Sequence, residues 1–135
     1  MPIVVWNDSY SVSVSQCDEQ HKKLFAILNE LFDAMRVGKG REAAGAILEK
    51  LVGYAQTHFR TEEELFRRTK YPDKAAHEAQ HRKFEEQVGK LKQATDLNNS
   101  ANTIALMEFL KNWLADHIQK VDRQYGPHLN AKGVY

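Results

Sequence analysis

Apolar residues recur at steps of three and four along most of the chain, the spacing that lines one face of an α-helix rather than alternating across a strand. From Asp18 to Val37 the stripe is Leu24, Phe25, Leu28, Phe32 and Met35, and Gly38 with Gly40 supplies the stop. Ile47, Leu48, Leu51, Ala55, Leu65 and Phe66 predict a second helix from Glu42 to Thr69. Pro72 closes it, because the residue before a proline is driven out of helical dihedrals. Asp73 is a good N-cap for a third helix, which carries Phe84, Val88 and Leu91 and dissolves in Asp96-Leu97-Asn98-Asn99. A fourth starts at Ser100, holds Leu106, Met107, Leu110, Trp113, Leu114 and Val121, and ends at Gly126-Pro127. Short connections make successive helices antiparallel, so the expected fold is all-α, an up-down-up-down four-helix bundle. Ahead of it, Tyr10-Ser11-Val12-Ser13-Val14-Ser15 alternates like a strand, but a lone strand has nothing to pair with. The expectation is an extended N-terminal arm laid over the bundle, with Trp6 as its apolar anchor.

At 135 residues the chain has the size of one domain, divided into an arm at 1–17, a bundle at about 18–126 and a short C-terminal tail. Hydrophobic residues at 42% and charged residues at 27% exclude a disordered or low-complexity chain. Nineteen basic against eighteen acidic residues leave a net charge of +1, with no field to attract nucleic acid or anionic lipid. No apolar run approaches a membrane span, and the first residues do not have the pattern of a signal peptide. One cysteine, Cys17, excludes an internal disulfide. The expected location is the cytoplasm, and Cys17 reads as a small buried residue.

What composition leaves unexplained is the histidines, at 21, 58, 77, 81, 117 and 128. His21 continues the stripe of Leu24, Phe25 and Leu28; His58 follows Leu51 and Ala55; His77 and His81 lead into Phe84 and Val88; His117 follows Leu110, Trp113 and Leu114. Glu62 shares the stripe of His58, and a carboxylate buried without a partner costs several kcal/mol. One core histidine is unremarkable, but five on four helices with a carboxylate among them point to a metal. Imidazole and carboxylate suit iron, zinc, manganese or copper, and the lack of paired cysteines excludes a Cys-rich zinc site or an iron–sulfur cluster. Five imidazoles and a carboxylate exceed one tetrahedral site, so two metals sharing carboxylates use them better. A second carboxylate, Asp122, lies five residues after His117, a rotation of roughly 140° on a regular helix. The expectation is that the helix widens or frays between His117 and Asp122, since single-turn π-bulges concentrate at functional sites.

These residues resemble the hemerythrin family in its bacterial single-domain form, over nearly the whole chain. The likeness rests on Trp6, Asp18-Glu19-Gln20-His21, His58-Phe59-Arg60-Thr61-Glu62-Glu63, His77-Glu78-Ala79-Gln80-His81, and Trp113-Leu114-Ala115-Asp116-His117-Ile118 followed by Asp122. It implies a non-haem di-iron centre, two Fe ions joined by an oxo or hydroxo bridge, that binds dioxygen reversibly without catalysis. Carried over by motif, His77, His81 and His117 ligate one iron, His21 and His58 the other, and Glu62 and Asp122 bridge them. By position relative to the ligands, Leu24, Phe59, Trp113, Leu114 and Ile118 are candidates for lining the oxygen pocket, with ordinary core packing as the alternative. The resemblance further implies a monomer that carries, stores or delivers oxygen, with an oxygen-consuming enzyme as recipient. A sensor acting through a partner, or a protein of iron storage or peroxide scavenging, stands as the alternative.

Two other readings explain less. His77-Glu78-Ala79-Gln80-His81 matches the HExxH pattern of zinc proteases, with Glu78 as general base, but leaves His21, His58, His117 and Glu62 without a role. A ferritin-like oxidase needs two Glu-x-x-His motifs, and only Glu78 to His81 fits. His128, beyond Pro127, is expected to be exposed and unligated.

Overall fold

The computed structural model describes residues 3–96 and 101–135. Four long helices account for most of it: α1 (Ser15–Arg36), α2 (Gly40–Thr69), α3 (Lys74–Asp96) and α4 (Ala101–Asn112). The last runs on through a π-helical segment, Trp113–Val121, and a 3₁₀ turn, Asp122–Tyr125, into a short α5 (Gly126–Ala131). Helices α1 and α3 each pack on α2 and α4, which closes the four-helix bundle that the stripes predict. Among the described residues there is no strand, and no helix is long and apolar enough to cross a membrane.

Boundaries differ from expectation where local chemistry outweighs the generic signal. Helix α1 begins at Ser15, three residues before Asp18. Asp18 is not a cap: its carboxylate reaches back to the arm, accepting from Ser11 Oγ at 2.6 Å and from the Val12 amide at 2.9 Å. Helix α2 starts two residues before Glu42 and ends at the expected Thr69. There Lys70 takes a left-handed conformation, φ 56°, and turns the chain before Pro72 is reached. Helix α3 follows Asp73, whose carbonyl accepts the His77 amide at 3.0 Å. The predicted stop at Leu97, Asn98 and Asn99 and the start at Ser100 lie outside the described residues.

The arm lies over the bundle as expected, interrupted by one 3₁₀ turn, Asp8–Tyr10. Trp6 meets Phe25 edge-on at 5.3 Å, and Tyr10 meets the same ring at 4.6 Å. Asn29 of α1 acts as a missing strand partner: its Oδ1 accepts from the Ile3 and Val4 amides and its Nδ2 donates to the Val4 carbonyl, all at 3.0 Å. At the other end the tail corrects two expectations. Gly126-Pro127 opens α5 rather than ending order, since a proline in the first turn of a helix forfeits no hydrogen bond. His128 is half-buried rather than exposed, donating from Nε2 to the Thr69 carbonyl at 2.8 Å.

Two apolar clusters fill the interior. The larger, built around Leu28, Leu48, Leu51, Phe84 and Leu110, draws on all four long helices. The smaller joins the arm to the far end of the bundle through Val12, Val14, Cys17, Phe66, Tyr125 and Leu129. Between them sits a layer of buried polar side chains.

Arm and tail meet at Gly126, where an added Cβ would lie 2.4 Å from the Val12 carbonyl oxygen. Gly126→Ala therefore forces two backbones apart, and we expect a loss of about 1–3 kcal/mol in urea unfolding. A variant as stable as the wild type would show that the arm yields freely.

Candidate metal centre

Seven polar side chains occupy the layer between the apolar clusters: His21 on α1, His58 and Glu62 on α2, His77 and His81 on α3, and His117 and Asp122 on the α4 extension. All are buried, Glu62 and Asp122 completely. Their i, i+4 spacing within α2 and α3 aims successive side chains at the same level. The α4 extension reaches that result by another route. Its backbone is π-helical over Trp113–Val121, and the Asp122 amide donates to the His117 carbonyl, a five-residue step. Asp122 Oδ1 consequently lies 2.8 Å from His117 Nε2, instead of facing away as on a regular helix.

Each carboxylate presents one oxygen to either side of the layer. Glu62 Oε1 lies 2.9 Å from His81 Nε2 and 3.3 Å from His77 Nε2, while its Oε2 lies 3.2 Å from His58 Nε2. Asp122 Oδ1 lies 3.0 Å from His77 Nε2, and its Oδ2 lies 3.0 Å from His21 Nε2. Two donor groups result, Glu62 with His77, His81 and His117, and Glu62 with His21, His58 and Asp122, each close enough to hold one ion.

Short as these distances are, most are not hydrogen bonds. The Nε2 atoms of His21, His58, His81 and His117 and both Asp122 oxygens have no hydrogen-bond partner of acceptable geometry, although all are buried. Buried polar atoms in proteins are satisfied with few exceptions, so lone pairs converging without partners fit a bound cation. Imidazole and carboxylate donors without thiolate fit iron among the borderline metals.

The opposite ring nitrogens are held by protein. His58 Nδ1 donates to Gln20 Oε1 at 2.6 Å, His117 Nδ1 to Gln80 Oε1 at 2.8 Å, and His81 Nδ1 to Glu63 Oε2 at 3.1 Å. Each bond selects the tautomer whose Nε2 lone pair faces the centre, which is how ligand histidines are oriented. Gln20 is itself anchored to Thr61 Oγ1 at 3.0 Å, and Glu63 to Arg82 at 2.9 Å. Tyr125 Oη donates to Glu62 Oε2 at 2.5 Å. None of Gln20, Glu63, Gln80 or Tyr125 stands out in the sequence, because glutamines and glutamates on the wet side of a stripe look like ordinary helix surface.

Charge in the layer is strongly coupled. Burial alone would raise the Glu62 pKa, but the His58 charge and the close imidazoles of His58, His77 and His81 hold it well below the carboxylate range. Burial and the Glu62 charge likewise push Asp122 up, and His117 and His21 pull it down further. Burial works against protonated His77, yet Asp122 and Glu62 together raise it to about 10. Burial keeps Tyr125 a neutral donor, its pKa well above the ordinary value.

The five candidate pocket residues stand against this layer. Leu24, Phe59, Leu114 and Ile118 are buried, and Trp113 is half-buried beside them. Phe59 stacks on His81 at 3.9 Å and Trp113 on His117 at 3.8 Å. Cys17 is buried, as expected, and burial drives its thiol pKa far up. Glu78 is paired with Lys74 at 2.8 Å on the outside of α3, away from any role as a base beside His77 and His81.

Residues 12–129 match the family model described as the hemerythrin HHE cation binding domain. A bacteriohemerythrin of Methylococcus capsulatus is 33% identical over 132 residues, 97% of this chain and 100% of that one. A hemerythrin-like protein of Naegleria gruberi is 34% identical over 120 residues, covering 89% and 88%. The crystal structure of a wild-type hemerythrin superimposes with a TM-score of 0.80 at 32% identity, over 94% of this chain and 98% of that one. A leucine-to-alanine variant of a hemerythrin gives 0.82 at 32% identity, over 96% and 98%.

The shifts fix how the metal-free protein responds to pH. Glu62 and Asp122 have folded pKa values below their ordinary 4.5 and 3.8, so their contribution is complete above about pH 4.5 and is lost on acidification. His77, raised from 6.5 to about 10, contributes fully below 6.5 and loses that contribution as pH climbs to about 10. The urea midpoint of metal-free protein should therefore peak near pH 5–6 and fall toward about pH 9. A midpoint that stays level or rises from about pH 6 to about pH 9 would contradict the coupling.

Proposed function

The chain belongs to the hemerythrin family, and we propose how its own residues carry out that family's function, reversible dioxygen binding at a non-haem di-iron centre. His77, His81 and His117 would hold one iron, His21 and His58 the other, and Glu62 and Asp122 would serve both. One observation carries this assignment: each carboxylate directs one oxygen to the three-histidine side and the other to the two-histidine side. With the carboxylates shared, the two-imidazole site would give an iron one protein donor fewer than the three-imidazole site. When bound, an iron pair would supply the electrons that reduce dioxygen and would take those electrons back as dioxygen leaves.

The protein's own part is to hold donors, exclude water and limit proton supply. Gln20, Gln80 and Glu63 fix three imidazoles with Nε2 inward, so the donor set is pre-oriented before metal arrives. Tyr125 Oη restrains Glu62 from the side opposite the pocket and keeps its proton. Leu24, Phe59, Trp113, Leu114 and Ile118 form the dry wall, with Leu114, one turn before His117, as the gate. A wall of this kind keeps bulk water from a reactive centre.

The reading extends to a single hemerythrin-like domain over residues 1–135, monomeric, cytoplasmic and non-catalytic, that gives oxygen to an oxygen-consuming enzyme. Carriage is favoured over signalling through a partner by where the large exposed apolar side chains fall. Among the described residues these are Val5, Val37, Ile104 and Tyr135, which come from the arm, the α1–α2 loop, α4 and the terminus rather than from one helix pair.

Anaerobic reconstitution followed by iron analysis and absorbance through oxygen cycles tests the proposal. Two irons per chain and a trace that returns on deoxygenation are expected; one iron, or oxidation that does not reverse, defeats it. Leu114→Ala separates the wall from the donors. It should keep its iron, lose about 2–5 kcal/mol of stability to the cavity and autoxidise faster. An unchanged autoxidation rate would remove Leu114 from the gate.

A further inference from the structure

Three imidazoles of the metal layer are held at Nδ1 by groups of unequal charge. His58 and His117 each meet a neutral amide, Gln20 Oε1 at 2.6 Å and Gln80 Oε1 at 2.8 Å. The Gln20 amide is fixed in that sense, because its Nε2 donates to Thr61 Oγ1 at 3.0 Å. His81 instead meets a carboxylate, Glu63 Oε2 at 3.1 Å. Any of the three acceptors orients a ring, so orientation does not account for the difference. What differs is the charge behind the ring. A carboxylate draws the Nδ1 proton toward itself and makes the opposite nitrogen a stronger donor to a cation.

Glu63 follows Glu62 on α2 and so leaves the helix about 100° away from it, toward the outside of the bundle. There Arg82 Nη2 donates to Glu63 Oε2 at 2.9 Å. The same guanidinium also holds Glu85, its Nε lying 3.0 Å from Glu85 Oε2, so one cation serves two carboxylates. Arg82 is 55% exposed and Glu63 only 20%, which leaves water to screen the cation more than the anion facing His81.

No such anion stands behind the two-imidazole side. His21 Nδ1 is buried without a hydrogen-bond partner, and His58 has the Gln20 amide. Tyr125 Oη moreover donates to Glu62 Oε2, the oxygen that lies 3.2 Å from His58 Nε2 and 3.8 Å from His21 Nε2. That donor withdraws charge from the two-imidazole side, while Glu63 adds charge to the three-imidazole side. Both contacts polarise the layer in one direction.

We propose that Glu63 is a positioning residue that acts through His81 to favour the ferric state at the three-imidazole site, so that an iron there gives up its electron before its neighbour. The inference rests on the di-iron reading and adds to it a difference in potential between the two sites.

An anaerobic potential titration of the full-length, iron-loaded protein, followed by absorbance, tests it. Glu63→Gln keeps an acceptor for His81 Nδ1 and removes the charge. It should retain two irons and weaken the preference for ferric iron in the first oxidation step about tenfold, an upward shift of ~59 mV for one electron. Two further variants do not depend on that one folding. Gln80→Glu puts a carboxylate behind His117, on the same side, and should lower the first potential by a similar amount. Gln20→Glu puts one behind His58, on the other side, and should bring the two oxidation steps together. An unmoved first potential in Glu63→Gln overturns the proposal, as does a Gln80→Glu shift of the same sign. Loss of iron from Glu63→Gln with unmoved potentials in the other two variants would mean that Glu63 only orients His81, and also overturns it. Iron analysis of the wild type tests the di-iron reading separately: two irons with unmoved potentials in the variants rejects the role of Glu63 alone, while a chain without two irons rejects both.

Discussion

Two carboxylates without solvent, Glu62 and Asp122, set the terms for the rest of this molecule. In an apolar core each would take up a proton rather than stay ionised. Here five imidazoles surround them, and their pKa values fall instead of rising. The bundle interior is therefore divided: one apolar cluster above, another below, and a polar layer whose free lone pairs match cations better than they match one another. Removing one partner from such a layer leaves a buried charge exposed to low dielectric, a loss of several kcal/mol. That energetic threat explains why so many surrounding groups are spent on holding the histidines still.

Backbone irregularity follows from the same demand. Three helices deliver their donors with regular i, i+4 spacing or a single residue, and stay α-helical throughout. The α4 extension has to present His117 and Asp122 to one point, and the five-residue step is reconciled by π-helical turns that tighten into a 3₁₀ turn at Asp122–Tyr125. The change of winding also brings Tyr125 onto Glu62 and starts α5, whose Leu129 closes the lower cluster. A local departure from helix geometry thus serves the donor set and the packing of the chain end together.

Around the donors, polarity is graded. Glutamine and glutamate side chains at the rim orient the imidazoles, while Phe59 and Trp113 cover two of the rings by stacking. Water is kept away on one side by the larger cluster and on the other by arm and tail, which are tied to each other through Asn130 and the Ser13 carbonyl at 2.9 Å.

Much of this was legible in the chain alone. Periodicity gave four helices and placed His21, His58, His77, His81 and His117 inward, because a residue three or four steps from buried leucines shares their face whatever the partner helix. The misfit of Asp122 at five steps pointed to a helix that widens or frays there, and the structure has it widen into a π segment. Ends of elements were less legible: Asp18 has the composition of a cap but is used by the arm, and Gly126-Pro127 reads as a stop but begins a helix. Short-range signals of that kind are decided by whichever distant backbone needs the hydrogen bond. The roles of Gln20, Gln80, Glu63 and Tyr125 came only from tertiary structure. Each depends on a contact between separate parts of the chain, such as Gln20 with His58 across α1 and α2, and no spacing along one helix encodes a distance between two. Sequence determined which side chains must leave water; packing alone decided which atom of each meets which.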